Sequence, residues 1–347
     1  MGIRYANFTP ISNHCARRRA PLCPLINVML VNRSYRLRTL YIIGNGFDLY
    51  HGLPTKFSNF SEYLKLNNKP LFDLFESYYH FDSGNELWSE LETNLANLDV
   101  DWLSEKLSGI YEGYSFSIEI NGIVNSLVYG LRESFRKFIS SVSESNEVDG
   151  RLKLSIDMDA VFLSFNYSDT LEKYYSVPGS RINYIHGKAS CKFSEIILGH
   201  GIDPSKLERK KIREPEGLSD EERECWYEYM AGQYDFYHEL GMDELDDYFT
   251  SSFKNVHEII RANEGFFSSL KMVDDVYVLG HSLSDVDLLY FKTVKNCVSQ
   301  KCSWNVSYYG EHERLEHYET MRVLGVEQNY INMFELTDIA LNGITKS

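Results

Sequence analysis

The sequence lacks close cysteine pairs. Its six cysteines, Cys15, Cys23, Cys191, Cys225, Cys297 and Cys302, are scattered over 347 residues. A zinc ribbon needs Cys-x-x-Cys pairs to bring thiolates onto one tetrahedral ion, so that class is excluded and no metal is expected. Scattered thiols fit reduced cysteines in a cytoplasmic protein. Long apolar runs are missing too: none approaches the roughly 20 residues that span a bilayer, so no membrane partner is expected. Positive charge is in short supply, with 35 Lys and Arg against 50 Asp and Glu and a net charge of −15. Broad nucleic-acid or anionic-membrane binding needs basic groups to displace counterions, and this balance works against both. Repeats and low-complexity tracts are absent.

What is present is an ordinary globular composition, 43% hydrophobic and 24% charged, which argues against disorder over most of the chain. The N-terminus is the exception. Arg17, Arg18 and Arg19 precede the fairly apolar stretch Pro21 to Val31, the order of a signal peptide. Pro21, Cys23, Pro24 and Asn27 interrupt that stretch, and no small-residue cleavage site follows, so a signal peptide is not expected. Met29 is an alternative start. Residues 1–38 are read as an N-terminal extension and a candidate for disorder, and residues 39–347 as a single α/β domain.

Short apolar runs rich in β-branched residues read as buried strands. They are Leu40 to Ile43, Asp159 to Phe165, Ile182 to Ile185, Ile196 to Leu198, Val273 to Leu279 and Trp304 to Tyr309. Between them lie helical patterns. Phe57, Phe60, Tyr63 and Leu64 recur at helical spacing, and a helix follows from Thr170 to Tyr175. Pro70 to about Tyr129 carries helical periodicity, with Phe72, Phe75, Leu87, Leu91, Leu95 and Leu98 as core candidates and a break over Gly109 to Gly122. Further helices are read over Leu127 to Val142, Asp285 to Val298 and His312 to Leu324. Helical insertions are expected at about residues 70–150 and 205–265. Strands alternating with helices imply a mostly parallel sheet covered on both faces.

In such sheets ligands bind beyond the carboxyl ends of the strands. The polar signals fall there: Gly44-Asn45-Gly46, Asn166-Tyr167-Ser168-Asp169, His186-Gly187, Gly199-His200-Gly201 and Gly280-His281-Ser282 each follow a predicted strand. Glycines after a first strand let backbone amides approach a pyrophosphate. Taken alone, Gly44-x-Gly46 reads equally well as a tight turn, Asn166 as a turn or cap residue, and His186 as a strand-end histidine with its own partners. Asp285 and Asp287 can bind a ribose or a metal, or cap the following helix.

The longer strings carry a resemblance. Gly44-Asn45-Gly46-Phe47-Asp48 followed by Gly52-Leu53-Pro54 resembles the sirtuin cofactor loop, Gly-Ala-Gly-Ile-Ser and then Gly-Ile-Pro, with the same spacing. Ser164-Phe165-Asn166-Tyr167, with Asp169 and Leu171, resembles the sirtuin Gln-Asn-Ile-Asp segment. His186-Gly187 resembles its His-Gly pair, and Leu279 to Leu283 its Gly-Thr-Ser segment. More closely, Ile42 to Asp48 with Gly52-Leu53-Pro54-Thr55, and the string Ser282 to Asp287, resemble the bacteriophage abortive-infection AbiH family, which is related to sirtuin-like domains. The resemblance spans Leu40 to Tyr309.

This resemblance implies a Rossmann-like, mostly parallel sheet of sirtuin type (DHS-like and NAD-binding) with large helical insertions. It implies that Asn166 holds the nicotinamide ribose or the attacking water, and that His186 is general base or ribose-hydroxyl partner. The loop of Gly44, Asn45, Gly46, Phe47 and Asp48, with Pro54, would hold the phosphates. Gly280 and Ser282 would lie toward the adenosine end, and Asp169, Asp285 and Asp287 complete the expected nucleotide-binding set. Three features depart from the sirtuin pattern. Asp48 replaces a small hydroxyl residue, Lys56 and Phe57 occupy slots that carry Phe and Arg, and Asp169 lies one residue late. The Cys₄ zinc module of sirtuin deacetylases is also missing, which disfavours protein deacetylation.

The function implied is hydrolysis of NAD⁺, as substrate, to nicotinamide and ADP-ribose during abortive infection. The alternatives are a non-catalytic NAD or ADP-ribose sensor that signals to a partner, and a glycosidic or transferase activity on another nucleotide. A homo-oligomer and a phage-derived trigger or partner protein are the expected protein contacts. The acidic stretch with Tyr227, Tyr229, Tyr234, Tyr237 and Tyr248 is the candidate surface for them.

Overall fold

Alternation along the first strand decides the architecture. In β1 (Thr39–Ile43), Leu40 and Ile42 enter the apolar core on one face, and Tyr41 and Ile43 enter that on the other. A strand apolar on both faces belongs inside a sheet covered on both sides. The computed structural model describes residues 39–79, 84–145, 148, 152–207, 209, 215–233 and 235–342. The predicted N-terminal extension lies outside them.

Around β1 are β2 (Val161–Ser164), β3 (Ile182–Tyr184), β4 (Asp275–Leu279), β5 (Ser303–Tyr308) and β6 (Ile331–Glu335). They form a six-stranded sheet in the order β3-β2-β1-β4-β5-β6, with every neighbouring pair parallel. Ile42 is level with Leu163 of β2 and Val278 of β4. The chain runs outward from β1 in one direction and then returns to β4 on its other side. The loops after β1 and β4 therefore part to opposite sides, which makes a topological switch point.

Helices of the first half are α1 (Asn45–Tyr50), α2 (Phe57–Asn67), α3 (Lys69–Tyr78), α4 (Gly84–Ser89), α5 (Leu91–Asn94), α6 (Val100–Ser108), α7 (Tyr114–Asn125) and α8 (Leu131–Ser145), with a π-helical turn joining the last two. After β2 comes α9 (Thr170–Tyr175). The second insertion carries α10 (Asp220–Gln233), α11 (Phe236–Ser251), α12 (Val256–Ala262) and α13 (Glu264–Ser269). The remaining helices are α14 (Leu288–Cys297), α15 (Gly310–Val323) and α16 (Leu336–Asn342).

One sheet face packs with Phe267, Tyr290, Phe291 and Met321, from α13 to α15. The other packs with Phe47 of α1, Leu171 and Tyr175 of α9, and Ile339 of α16. The two insertions share a third core. It joins Phe75, Leu103, Phe116 and Phe135 to Leu245 and Tyr248, and reaches Leu53, Tyr167, Ala189 and Leu198, which follow the strands. The helical body thus sits over the carboxyl ends of β1, β2 and β3. Buried tyrosines tie its halves together: Tyr248 bonds to Tyr79 and donates to the Leu95 carbonyl at 2.8 Å.

Three expectations are corrected. Ile196 to Leu198 is not a strand; just beyond it, His200 makes one isolated parallel bridge to Phe253. The run is too short, and its backbone bonds elsewhere: Ile197 N–H donates to His186 O at 2.9 Å, and Leu198 O accepts from Arg132. The sheet gains β6, because Ile331–Glu335 alternates weakly and pairs only at the edge. The break over Gly109 to Gly122 closes at Gly113, and α7 follows because Phe116, Ile120 and Ile123 pack at helical spacing on α11. Tyr227 and Tyr229 are exposed, Tyr248 is fully buried, and Tyr234 lies outside the described residues. No described helix is long and apolar enough to cross a membrane.

Candidate functional site

The glycine loop is shaped by its partner loop after β4. Gly44 N–H donates to Leu279 O at 3.0 Å, Gly46 N–H to Gly280 O at 2.7 Å, and Gly280 N–H to Ser307 Oγ at 2.8 Å. A Cβ on Gly44 would stand 2.5 Å from His281 Cα, and one on Gly46 2.9 Å from Gly280 Cα. The glycines therefore allow two backbones to touch at the switch point, and their amides are committed to protein oxygens. Asn45 accepts from Thr55 Oγ1 at 2.6 Å, which explains the spacing from the loop to Gly52-Leu53-Pro54-Thr55. Pro54 is half-buried, and Asn45, Ser282 and Asp285 are exposed on this rim.

Asp48 turns away from the rim. Its carboxylate is buried, with Oδ2 accepting from Ser168 at 2.5 Å and Oδ1 from Thr170 at 2.7 Å. Burial pushes its pKa up to about 6, although Ser168, Thr170 and Asn166 favour the ionised form. Asp48 therefore joins α1 to the loop after β2. Phe47, beside it, is a core residue packed on His51 and Tyr175.

The ends of β2 and β3 are different in kind. Asn166 Nδ2, Asp169 Oδ1 and His186 Nε2 are buried without a hydrogen-bond partner. The His186 ring stands edge-on to Phe165 and lies 5.6 Å from Tyr290, centroid to centroid; the Tyr290 hydroxyl is also unpartnered. Burial and the nearby Lys254 hold His186 well below the usual histidine range, against the pull of Asp287. His186 is neutral at pH 7, and its Nε2 is free to accept a proton.

Asp287 faces this histidine. It stands at the N-cap position of α14 but makes no capping bond, because its carboxylate points into a charged cluster. Oδ1 lies 3.0 Å from Lys254 Nζ and 3.9 Å from His186 Nε2, and Oδ2 lies 3.5 Å from His281 Nε2. Burial alone would raise this carboxyl; Lys254 and the two histidines outweigh it and keep Asp287 ionised. Among the described residues, no group of three or more His, Cys, Asp or Glu side chains is arranged to hold a metal.

A family model described as bacteriophage abortive infection AbiH matches residues 40–308. The chain belongs to the AbiH family. That family assigns the protein to phage abortive infection. Comparisons with curated proteins and with solved structures find no match.

The matched span of this AbiH protein holds both the predicted site and the residues that support it. The structure brings Asn166, Asp169, His186 and Asp287 to the carboxyl end of the sheet, while Ser282 and Asp285 stay at its exposed rim. Sequence reasoning missed Lys254, Glu92 and Tyr290, as well as two arginines of α8. Arg136 donates to the carbonyls of Lys188, Ala189, Cys191 and Ser194, and so anchors the loop after His186-Gly187. Arg132, one turn earlier, donates to Leu198 O at 3.3 Å and Ser251 O at 2.8 Å. A signal existed: Arg132 and Arg136, spaced i, i+4, flank the apolar positions Phe135, Phe138 and Ile139 of α8. Nothing local pointed to Lys254.

Proposed function

We propose that this AbiH protein is an NAD⁺ glycohydrolase acting in abortive infection. One observation carries the reading: Asn166 Nδ2 and His186 Nε2, at the ends of adjacent strands, are both buried without a partner. Buried polar atoms in folded proteins are almost always paired, and orphans at strand carboxyl ends fit a ligand position. The strand order supports a dinucleotide, because 3-2-1-4-5-6 is the doubly wound order of Rossmann-like sheets.

Cleavage of the nicotinamide–ribose bond passes through an oxocarbenium-like state. Nicotinamide leaves with the bonding electron pair, a water oxygen bonds to C1′, and His186 Nε2 takes the water proton. Asn166 orients the ribose or the water without titrating. The test is nicotinamide release from NAD⁺ by the full chain, alone and in infected cells. Asn166→Ala and His186→Ala are expected to abolish it; unchanged release in both variants overturns the mechanism.

Binding without turnover is the second reading. It is favoured by the departures from the sirtuin pattern at Asp48 and at Lys56 and Phe57, where a small hydroxyl residue and an arginine are missing. Tight NAD⁺ or ADP-ribose binding, with no product formed in the infected cell, would select it.

A further inference from the structure

Lys254 has no exposed side-chain area. A buried ammonium costs several kcal/mol unless it is paired, so its placement needs a reason. Its Nζ reaches Asp287 Oδ1 at 3.0 Å and Glu92 Oε1 at 3.3 Å. Glu92 lies on α5 in the first insertion, Lys254 on the connection from α11 to α12, and Asp287 after β4. Elements distant in sequence converge on one ion cluster.

The connection that carries Lys254 is fixed on both sides. His200 N–H donates to Ser252 O at 3.0 Å, and Lys254 N–H donates to His200 O at 2.8 Å. A Cβ on Gly199 would stand 2.0 Å from Ser252 O, so this approach requires glycine there. Arg132 holds the Ser251 carbonyl. His281 is fixed as well. Its Nδ1 accepts the Leu283 N–H at 2.9 Å, so the neutral ring carries its proton on Nε2, which faces Asp287 Oδ2 at 3.5 Å. Leu283 adopts φ +52 to make this turn, a conformation that costs a non-glycine residue energy.

We infer that Lys254 is a positioning residue of the strand-end site: through Asp287 it fixes the charge that His186 Nε2 meets when it takes up a proton. Protonation places an N–H on His186 facing Asp287 Oδ1 across 3.9 Å. Asp287 stabilises the resulting imidazolium, while Lys254 holds Asp287 in place and opposes that charge. The ionisable neighbours of this ring are Lys254, Asp287 and His281. Tyr167 after β2 and Tyr290 of α14 pack against it, and Glu92 binds the far side of Lys254. The catalytic meaning of this arrangement rests on the proposed hydrolase; the electrostatic arrangement does not.

The experiment follows the histidine resonances of the full chain by NMR against pH, assigned with His186→Gln and His281→Gln. It is run beside a pH profile of nicotinamide release. Lys254→Met is expected to move the His186 titration to higher pH, and Asp287→Asn to move it lower. Lys254→Arg keeps the parent titration. Nicotinamide release falls about 100-fold in Asp287→Asn, the size of a general acid–base contribution, with kcat rather than KM carrying the loss. General loosening of the site would move both variants toward the ordinary histidine value, that is, upward. Shifts of the same sign, or none, overturn the inference. If Lys254→Met does not fold, the direction seen in Asp287→Asn and the retention seen in Lys254→Arg still decide it. Opposite shifts in a chain that releases no nicotinamide keep the electrostatic inference and reject the hydrolase. Same-sign shifts in an active enzyme do the reverse.

Discussion

The Ser168 hydroxyl donates to Asp48 Oδ2 at 2.5 Å, so a buried carboxylate ties the helix after β1 to the loop after β2. Folding raises the Asp48 pKa from 3.8 to about 6. The folded chain therefore holds this proton more tightly than the unfolded chain. Stability from the protonated form is full below the unfolded value and is lost as pH rises through about 6, a difference of about 3 kcal/mol. Asp48→Asn keeps a neutral group among hydroxyls that can reverse their bonds. Its denaturation midpoint is expected to match or exceed the parent's at pH 8 and to lose that advantage at pH 5. A variant less stable than the parent by the same margin at both pH values would show that charge on Asp48 is not what burial opposes.

Gly280 tests the contact between the two loops. It has φ +64, and a Cβ would lie 2.1 Å from Phe47 N. Backbone atoms on both sides cannot give way like the end of a side chain, so β1 and β4 must separate at their ends. Gly280→Ala is expected to cost about 4 kcal/mol or more by chemical denaturation. Gly52, with φ +77 and open space around it, supplies the control. Gly52→Ala pays only for conformation, about 1 kcal/mol. Similar losses at both positions would mean that the close approach is not rigid.

Arg136 tests how the loop after β3 is held. Four carbonyls between Lys188 and Ser194 share its guanidinium. Arg136→Ala is expected to lose about 2–3 kcal/mol, because the half-buried carbonyls lose charged donors. Amide exchange over residues 188–197 should quicken more than exchange in the sheet. Arg136→Lys should recover little, because one ammonium cannot span four acceptors. Uniform quickening across the chain would assign Arg136 a global role instead.

Asn166 separates function from stability. Its Nδ2 meets no acceptor at hydrogen-bond geometry, although Asn166 lies close enough to the Asp48 carboxylate to favour its ionised form. Thermal melting is expected to place the Asn166→Ala variant within about 1 kcal/mol of the parent, since Ser168 and Thr170 still donate to Asp48 after truncation. A much larger loss of stability would show that the side chain is structural and would weaken its assignment to a ligand.

Much of the fold could be read locally. Alternating or continuous apolar runs in β1, β2, β4 and β5 announce a parallel sheet, and the polar strings after β1, β2, β3 and β4 lie at its carboxyl ends. The family could be read from the same strings, and the matched span of residues 40–308 agrees with it. These features survive in one dimension because they are contiguous: a strand and the turn that ends it lie within a dozen residues. β6 escaped because only Ile331 of its five residues is buried, and Asn332 and Glu335 break the apolar run.

Tertiary structure alone decided which polar side chains meet. Asp48 stands in the glycine loop, yet it faces Ser168 and Thr170 rather than the rim, because it lies on the inward side of α1. Asp287 read as a ribose or metal ligand or a helix cap; it makes no capping bond and stands at the centre of an ion cluster. Its partner Lys254 lies 33 residues earlier, and Glu92 lies 162 residues before Lys254. No spacing rule connects such positions. Burial brings them together, and in the low-dielectric interior each charge persists only through the others.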